Sequence, residues 1–294
     1  MLPALAFNAF AAEQQMEEVV VTGSYIKSSP TDGASPVEVV SRSNIDEMAA
    51  MTISDITRNL TVNSGSENVP DSFTSGAGQG TSNVNLRGLG LGSTLILVNG
   101  RRNTLAAAAA NDGSTFVDTS MIPASALERV EVLKEGAASV YGSDAVAGVV
   151  NYITRKDFEG TEIGGTFQST TSDSQEDAQI SFLHGWANDS TNIVVAAEYM
   201  ERTPLNSGKR PELTQLAISG LGNSFLVFAP ATVAAGPYAG TYTAFENIPD
   251  ANCVGNGGTI IPQASGDRCG FAYGPRFNVV NEEERTHLYG NVQH

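Results

Sequence analysis

Four runs of alternating residues constrain this chain more than any other feature. Residues 161–170 place Ile163, Gly165 and Phe167 on one face. Residues 178–187 group Ile180, Phe182, His184 and Trp186, and residues 192–201 group Ile193, Val195, Ala197 and Tyr199. Residues 284–293 group Leu288, Gly290 and Val292. A period of two is the signature of a strand with two unlike faces. Each run is about ten residues long, twice the usual globular strand and the length a tilted strand needs to cross a bilayer. The connections differ in kind. Residues 188–191 form a tight polar turn, 171–177 a medium acidic loop, and 202–283 a very long loop rich in Gly, Pro and Asn. Short turns at one end and long loops at the other fit a transmembrane barrel, whereas so long an interstrand loop fits a soluble sandwich poorly. Trp186 and Tyr199 fall near strand ends, where interfacial aromatics belong. No window approaches the ~20 apolar residues of a membrane helix, which says nothing about a barrel.

The chain before these runs reads differently. Residues 35–41 alternate as a strand, and Ser43 is expected to cap a helix over 44–50. Thr52 with Asp55 three residues on is a capping-box start for a helix over 53–60. A Gly/Ser/Asn-rich loop over 63–82 leads to an expected strand over 84–88. Residues 94–98, TLILV, have the pattern of a buried strand, closed by the tight-turn pair Asn99-Gly100. A second small-residue loop covers 103–115, followed by a short helix over 124–127 and a strand over 128–134. The stretch 122–156 is where the chain changes regime: strand, glycine-bounded helical turn, strand, with no catalytic group among them.

Composition narrows the function. The formal net charge is −16, so a broad nucleic-acid surface is excluded by its own repulsion from phosphates. His184, His287 and His294 are scattered, with no second ligand at metal spacing. Gly88, Gly90 and Gly92 do not make the dinucleotide-binding spacing, and the stretch from Gly136 to Gly142 lacks the Lys and Ser/Thr of a phosphate loop. Gly88, Gly136, Gly142 and Gly148 read as backbone devices. No enzyme chemistry and no cofactor is expected. In a reducing compartment Cys253 and Cys269 would be incidental thiols; in an exported protein they would close one small loop.

Two features precede the first domain. Residues 1–12 are small and apolar, with Ala9, Phe10 and Ala11 set out as a signal-peptide cleavage site. Glu17, Glu18, Val19, Val20, Val21, Thr22 and Gly23 follow, a β-branched run that prefers extended structure. It reads either as a first strand or as a strand kept free to pair with another protein's sheet edge.

Taken in order, EEVVVTG, NVNLRGLG, TLILVNGRR and IPASALERVEVLKEGAASVYGSDAVAGVVNYITRK resemble the plug domain of a TonB-dependent outer-membrane receptor. The resemblance covers about residues 17–160, and the alternating runs extend it. It implies an α+β plug domain followed by antiparallel strands of an incomplete transmembrane β-barrel. The division expected is a signal remnant (1–12), TonB box and linker (13–34), plug (35–157), and about four first barrel strands (158–294) with a long extracellular loop (202–283). It implies energy-coupled uptake of a scarce nutrient of the siderophore, cobalamin or carbohydrate class, with a surface binding protein or adhesin as the alternative. The partners implied are the TonB energy transducer, gripping residues 17–23, outer-membrane lipid, and a small nutrient ligand. Family positions matching Arg87, Arg129 and Glu131 are implied to hold plug against barrel wall, with Glu162 and Glu198 as partners on inward strand phases.

Overall fold

The computed structural model describes residues 22, 37–68, 78–171, 175–214, 218–219 and 224–294. The signal remnant, the tether over 25–33 and all of residues 17–23 except Thr22 lie outside these.

The first domain is built on a five-stranded sheet. Its elements are β1 (Val37–Ser41), α1 (Arg42–Glu47), α2 (Ile53–Arg58), β2 (Thr94–Val98), β3 (Arg101–Arg102), β4 (Leu127–Leu133), α3 (Ala138–Tyr141) and β5 (Gly148–Thr154). The strand order is β1-β4-β5-β2-β3. β5 lies at the centre, parallel to β2 and antiparallel to β4. Every residue of β5 is buried, which is why its sequence is nearly continuous apolar rather than alternating. One face packs Val130, Val132, Val150 and Tyr152 against Ile45, Ile53 and Ile56 of the two helices. The other packs Leu95, Leu97, Leu133 and Val149 against Ala137 and Ala145. Burying each isoleucine contributes about 1.5–3 kcal/mol, so α1 and α2, six residues each, are held by the sheet rather than by propensity.

Local chemistry explains where expectation and structure part. The α2 capping box forms as expected: the Asp55 N–H donates to Thr52 Oγ1 at 3.3 Å and the Thr52 N–H to Asp55 Oδ2 at 2.9 Å. Helix α1 is capped by Ser41 rather than Ser43, because Asn44 closes a reciprocal box with Ser41 and starts the helix where β1 stops. The expected strand over 84–88 is a single bridge, Asn63 to Leu86. Side chains take the place of its ladder. The Asn83 N–H donates to Asn68 Oδ1, Asn85 N–H to Asn63 Oδ1 and Leu86 N–H to Thr94 Oγ1, at 2.7–3.0 Å. Arg87 and Gly88 then turn the chain with positive φ. The helix expected over 124–127 is one 3-10 turn, Ala124–Ala126, and β4 begins at Leu127. Gly148 opens β5 at φ +134°, and a Cβ there would lie 2.4 Å from the Leu133 carbonyl.

The second part is a wall of four antiparallel strands: β6 (Gly160–Ser169), β7 (Glu176–Ala187), β8 (Asn192–Arg202) and the last strand, Glu283–Gln293. Registers run unbroken, from Asp177↔Arg202↔Glu283 at one end to Ala187↔Asn192↔Gln293 at the other. The outward face is apolar and exposed, with Ile163, Phe167, Ile180, Phe182, Trp186, Leu288 and Val292. On the inward face Leu183, Val194, Ala196, Glu198 and Met200 are buried against the first domain. Alternation therefore sorts the wall into a lipid-type face and a plug-facing face, as in a transmembrane barrel. Four strands leave the sheet open.

The connection between the last two wall strands is not structureless. Short ladders join Leu205–Asn206 to Asn278–Val280, Ser224–Leu226 to Asn247–Pro249, and Ala231–Val233 to Gly240–Tyr242. Gly258–Ile261 and Ile218–Ser219 flank Arg268–Ala272. A disulfide joins Cys253 and Cys269. These ladders are two to five residues long, too short to show alternation in the sequence.

Candidate functional site

The seam between the first domain and the wall carries the most organised chemistry among the described residues. It is a series of polar bonds from inward-facing wall side chains to the backbone of the domain. Gln168 Nε2 donates to the Ala49 carbonyl at 3.0 Å, and Gln179 Nε2 to the Met51 carbonyl at 2.6 Å. Arg285 donates through Nη1 to the Ser120 carbonyl at 3.0 Å and through Nη2 to the Gly80 carbonyl at 2.8 Å. Glu198, 5% exposed, accepts the Ser125 N–H at 3.0 Å and faces His287 Nδ1 at 3.2 Å. Thr154 Oγ1 and the Tyr289 hydroxyl meet at 2.7 Å. Arg155 Nη2 donates to Glu162 Oε2 at 2.8 Å. A small apolar cluster joins Ala126 and Phe158 to Leu183, Val194 and Ala196. Buried carboxylates and guanidiniums persist only when paired and hydrogen-bonded, and these are.

The wall's own charges are arranged to serve this seam. Arg202 bridges Asp177 at 3.1 Å and Glu283 at 3.0 Å across the rung that the strand register predicts. Glu283 also pairs with Arg285. A narrow cavity of about 50 Å³ lies between α2 and the wall, lined by Asp55, Arg58, Glu198, Arg202 and Arg285 among others.

The residues singled out from sequence fall into two groups. Glu162 and Glu198 sit on the seam, bonded to Arg155 and Ser125. The bonds described for Arg87, Arg129 and Glu131 run within the first domain. Arg87 donates to the Val146 and Ala147 carbonyls at 3.3 and 3.1 Å. Arg129 Nε donates to Glu131 Oε1 at 2.9 Å and Nη1 to Glu128 Oε1 at 2.6 Å. Glu131, fully buried, accepts from the Thr22 hydroxyl, and Asn151 Nδ2 donates to Thr22 Oγ1 at 3.0 Å. Thr22 is thus anchored on the centre of the sheet.

Arg285, Gln168, Gln179, Arg155 and Tyr289 were not expected from sequence. A signal for most of them was present: polar residues on the inward phase of an otherwise alternating strand must face something polar. Gln168, Gln179 and Arg285 face backbone carbonyl, which no sequence pattern displays, while Arg155 and Tyr289 meet the side chains of Glu162 and Thr154. At the rim, Asp144 pairs with Arg102 at 2.5 Å, and that hydrogen bond holds its carboxyl below the usual range. No cluster of three metal-ligating side chains occurs among the described residues.

A compact α+β domain seated on the polar face of an amphipathic, barrel-type wall defines a plugged-barrel architecture. Residues 29–149 match the family model of the TonB-dependent Receptor Plug Domain. This part of the chain is thus a plug domain of the TonB-dependent receptor type, and antiparallel strands with the alternation of barrel strands follow it. Solved structures similar to the chain include a double mutant of the ferric enterobactin receptor PfeA from Pseudomonas aeruginosa, at 21% identity and TM-score 0.48, covering 68% of this chain and 29% of that one. The siderophore receptor PirA from Acinetobacter baumannii matches at 24% identity and TM-score 0.44, covering 60% and 26%. The ferric citrate transporter FecA, unliganded, matches at 20% identity and TM-score 0.46, covering 60% and 27%. The chain thus matches under a third of the length of each of these receptors.

Proposed function

We propose that this chain is part of a receptor that takes a scarce nutrient of the siderophore, cobalamin or carbohydrate class across the outer membrane, driven by an energy transducer in the periplasm. The observation that carries the reading is the seam: a plug fastened to one polar wall by bonds to its backbone. Such a plug closes the lumen at rest, and it is fixed on one side while its N-terminus is tethered elsewhere.

In this reading the transducer adds a strand to residues 17–23. Backbone hydrogen bonds supply the grip, so the sequence demands are mild: extended, β-branched and without proline. Thr22 gives up its bond to the Glu131 carboxylate and the one it accepts from Asn151 Nδ2 when the segment is engaged. β1 is the first described strand after the grip and, among the described residues, lies at the sheet edge and pairs only with β4, from Val37↔Leu133 to Ser41↔Arg129. A pull from the N-terminus meets the Val37 end first and opens the ladder one rung at a time. The small-residue segment 134–148 stays with the sheet core and serves packing rather than chemistry. The seam residues share the plug-to-wall role expected of Arg87, Arg129 and Glu131, and Arg129 also holds Glu131 for Thr22.

Deleting residues 17–23 in the whole receptor tests this. Uptake is expected to be abolished with ligand binding at the cell surface retained. Retained uptake would contradict the reading, and loss of both would show that the segment serves folding instead.

A further inference from the structure

The plug and wall enclose a second, wider cleft of about 540 Å³ at the end of the wall where the tight 188–191 turn lies. Its plug side is the Asn99–Asn103 hairpin with Lys156, and its wall side is the end of the last strand at Asn291 and Gln293. Arg87, Lys209, Arg268 and Arg276 lie outside the described ion pairs, and so do two cations of this cleft. Arg42, Arg58, Lys134, Arg155 and Arg202 each have a carboxylate partner. Arg101 and Lys156 have none among the described residues, and no hydrogen-bond partner there either. Arg102, also on the cleft, is neutralised by Asp144. The carboxylate next in sequence to Lys156, Asp157, is exposed and outside the lining. In a chain of net charge −16, the cleft thus brings two cations together without a carboxylate partner among the described residues.

We propose that this cleft is a binding site for a phosphate group, held by Arg101 and Lys156 and oriented by the amides of Asn99, Asn103, Asn291 and Gln293. Two cations match the charge of a phosphate dianion, and its oxygens accept several donors at once. A guanidinium binds such a group as a fork and an ammonium as a point charge, so the pair fixes orientation as well as charge. The amides add neutral donors. Asn99 is already set: its Nδ2 donates to Thr154 Oγ1 at 2.8 Å and its Oδ1 accepts the Thr154 N–H at 3.0 Å. Thr154 in turn meets Tyr289, so the hairpin is locked to the wall just beside the cleft. The base of the hairpin is therefore held against the wall. It lies at the opposite end of the wall from the long 203–282 connection, which, on the transport reading above, is the exit end. The inference deepens that reading by making a phosphate-bearing solute the cargo, or a lipid headgroup the resident ligand.

Titrating inorganic phosphate into the whole receptor in neutral detergent, followed by phosphorus NMR linewidth, tests binding without reference to transport. Saturable binding with Kd on the order of 1 mM is expected, weakened about tenfold by Arg101→Gln or Lys156→Gln. Both residues are outside the core, and a circular dichroism melt of each variant confirms that it is folded. Arg210→Gln, which removes a cation from the Glu212 pair in the long connection, is expected to leave binding unchanged. A second arm replaces phosphate with vesicles of phosphatidylglycerol. Arg101- and Lys156-dependent binding to vesicles alone assigns the site to a headgroup, and to free phosphate alone assigns it to a solute. Absence of saturable binding in both arms, or equal losses in Arg210→Gln and the cleft variants, would overturn the proposal. Neither result bears on whether deletion of residues 17–23 abolishes uptake.

Discussion

Replacing Arg285 by alanine is the perturbation that most directly separates plug from wall. Its guanidinium donates to two plug carbonyls, Ser120 at 3.0 Å and Gly80 at 2.8 Å, and nothing else described reaches from the last strand to those loops with a charge. A hydrogen bond to a charged group contributes about 1.5–3 kcal/mol, and the side chain keeps some solvent access, so about 2–4 kcal/mol of seating energy is at stake. Glu283 retains its bond to Arg202, so no carboxylate is left without a partner and the wall itself stays intact. The loss appears as local opening, not global unfolding. Hydrogen exchange of the whole receptor reads it directly. The Ile122 and Ser125 amides, which donate to Thr119 and Glu198, are expected to exchange roughly 30- to 700-fold faster, from ~1.4 kcal/mol per tenfold. Amides of β4 and β5 are expected to be unchanged. Arg285→Lys, with one compact donor in place of a fork, recovers part of the protection. Unchanged exchange at 119–125, or a loss spread evenly over plug and wall, would refute the claim that this side chain fastens the plug.

Three further outcomes follow from the geometry. Gly148→Ala forces a Cβ to 2.4 Å from the Leu133 carbonyl and 2.8 Å from Leu86 at a φ of +134°, so the plug is expected to lose about 3 kcal/mol or more of stability, read as a lowered denaturation midpoint; a midpoint within error of the parent would refute the close approach. The Tyr152 hydroxyl is fully buried beside Thr57 and Thr119, and burial pushes the phenol up to about 12. The folded state thus favours the neutral phenol, so the stability it contributes is full below pH 10 and is lost as pH rises through about 12; Tyr152→Phe should flatten that part of the alkaline unfolding curve and cost little at pH 7, and an unchanged curve would count against it. Reducing the Cys253–Cys269 bond, sixteen residues apart, should destabilise the long connection by about 3 kcal/mol in limited proteolysis while leaving plug exchange untouched.

Much of this architecture was legible in the sequence, for reasons that can be named. The wall strands announced themselves because a barrel strand must show two chemically unlike faces over its whole length, as Ile180, Phe182 and Trp186 do against Gln179, Ser181 and Leu183. The Thr52–Asp55 cap was legible because both halves of the box are in the sequence. Residues 84–88 were misread because the Asn85 and Leu86 amides are taken by the side chains of Asn63 and Thr94, and bonds made by side chains leave no period. The long connection hid its ladders because two to five residues are too few to alternate. The seam was half legible. Glu162 and Glu198 stood out as inward charges, whereas Gln179 and Arg285 bind backbone carbonyls, whose positions only the fold supplies. Glu131 was noticed as a charge inside a strand, but its acceptor role toward Thr22 depends on a residue more than a hundred positions away.

The claim that residues 17–23 are the point of energy coupling is tested most directly by binding between the whole receptor and the periplasmic domain of its transducer. Val20→Pro removes one backbone donor from the strand to be added and leaves the charge of the segment unchanged. The account predicts that affinity falls at least about tenfold with this variant, while Val20→Ile binds as the parent does. Equal affinity for the proline variant and the parent would contradict strand addition at this segment.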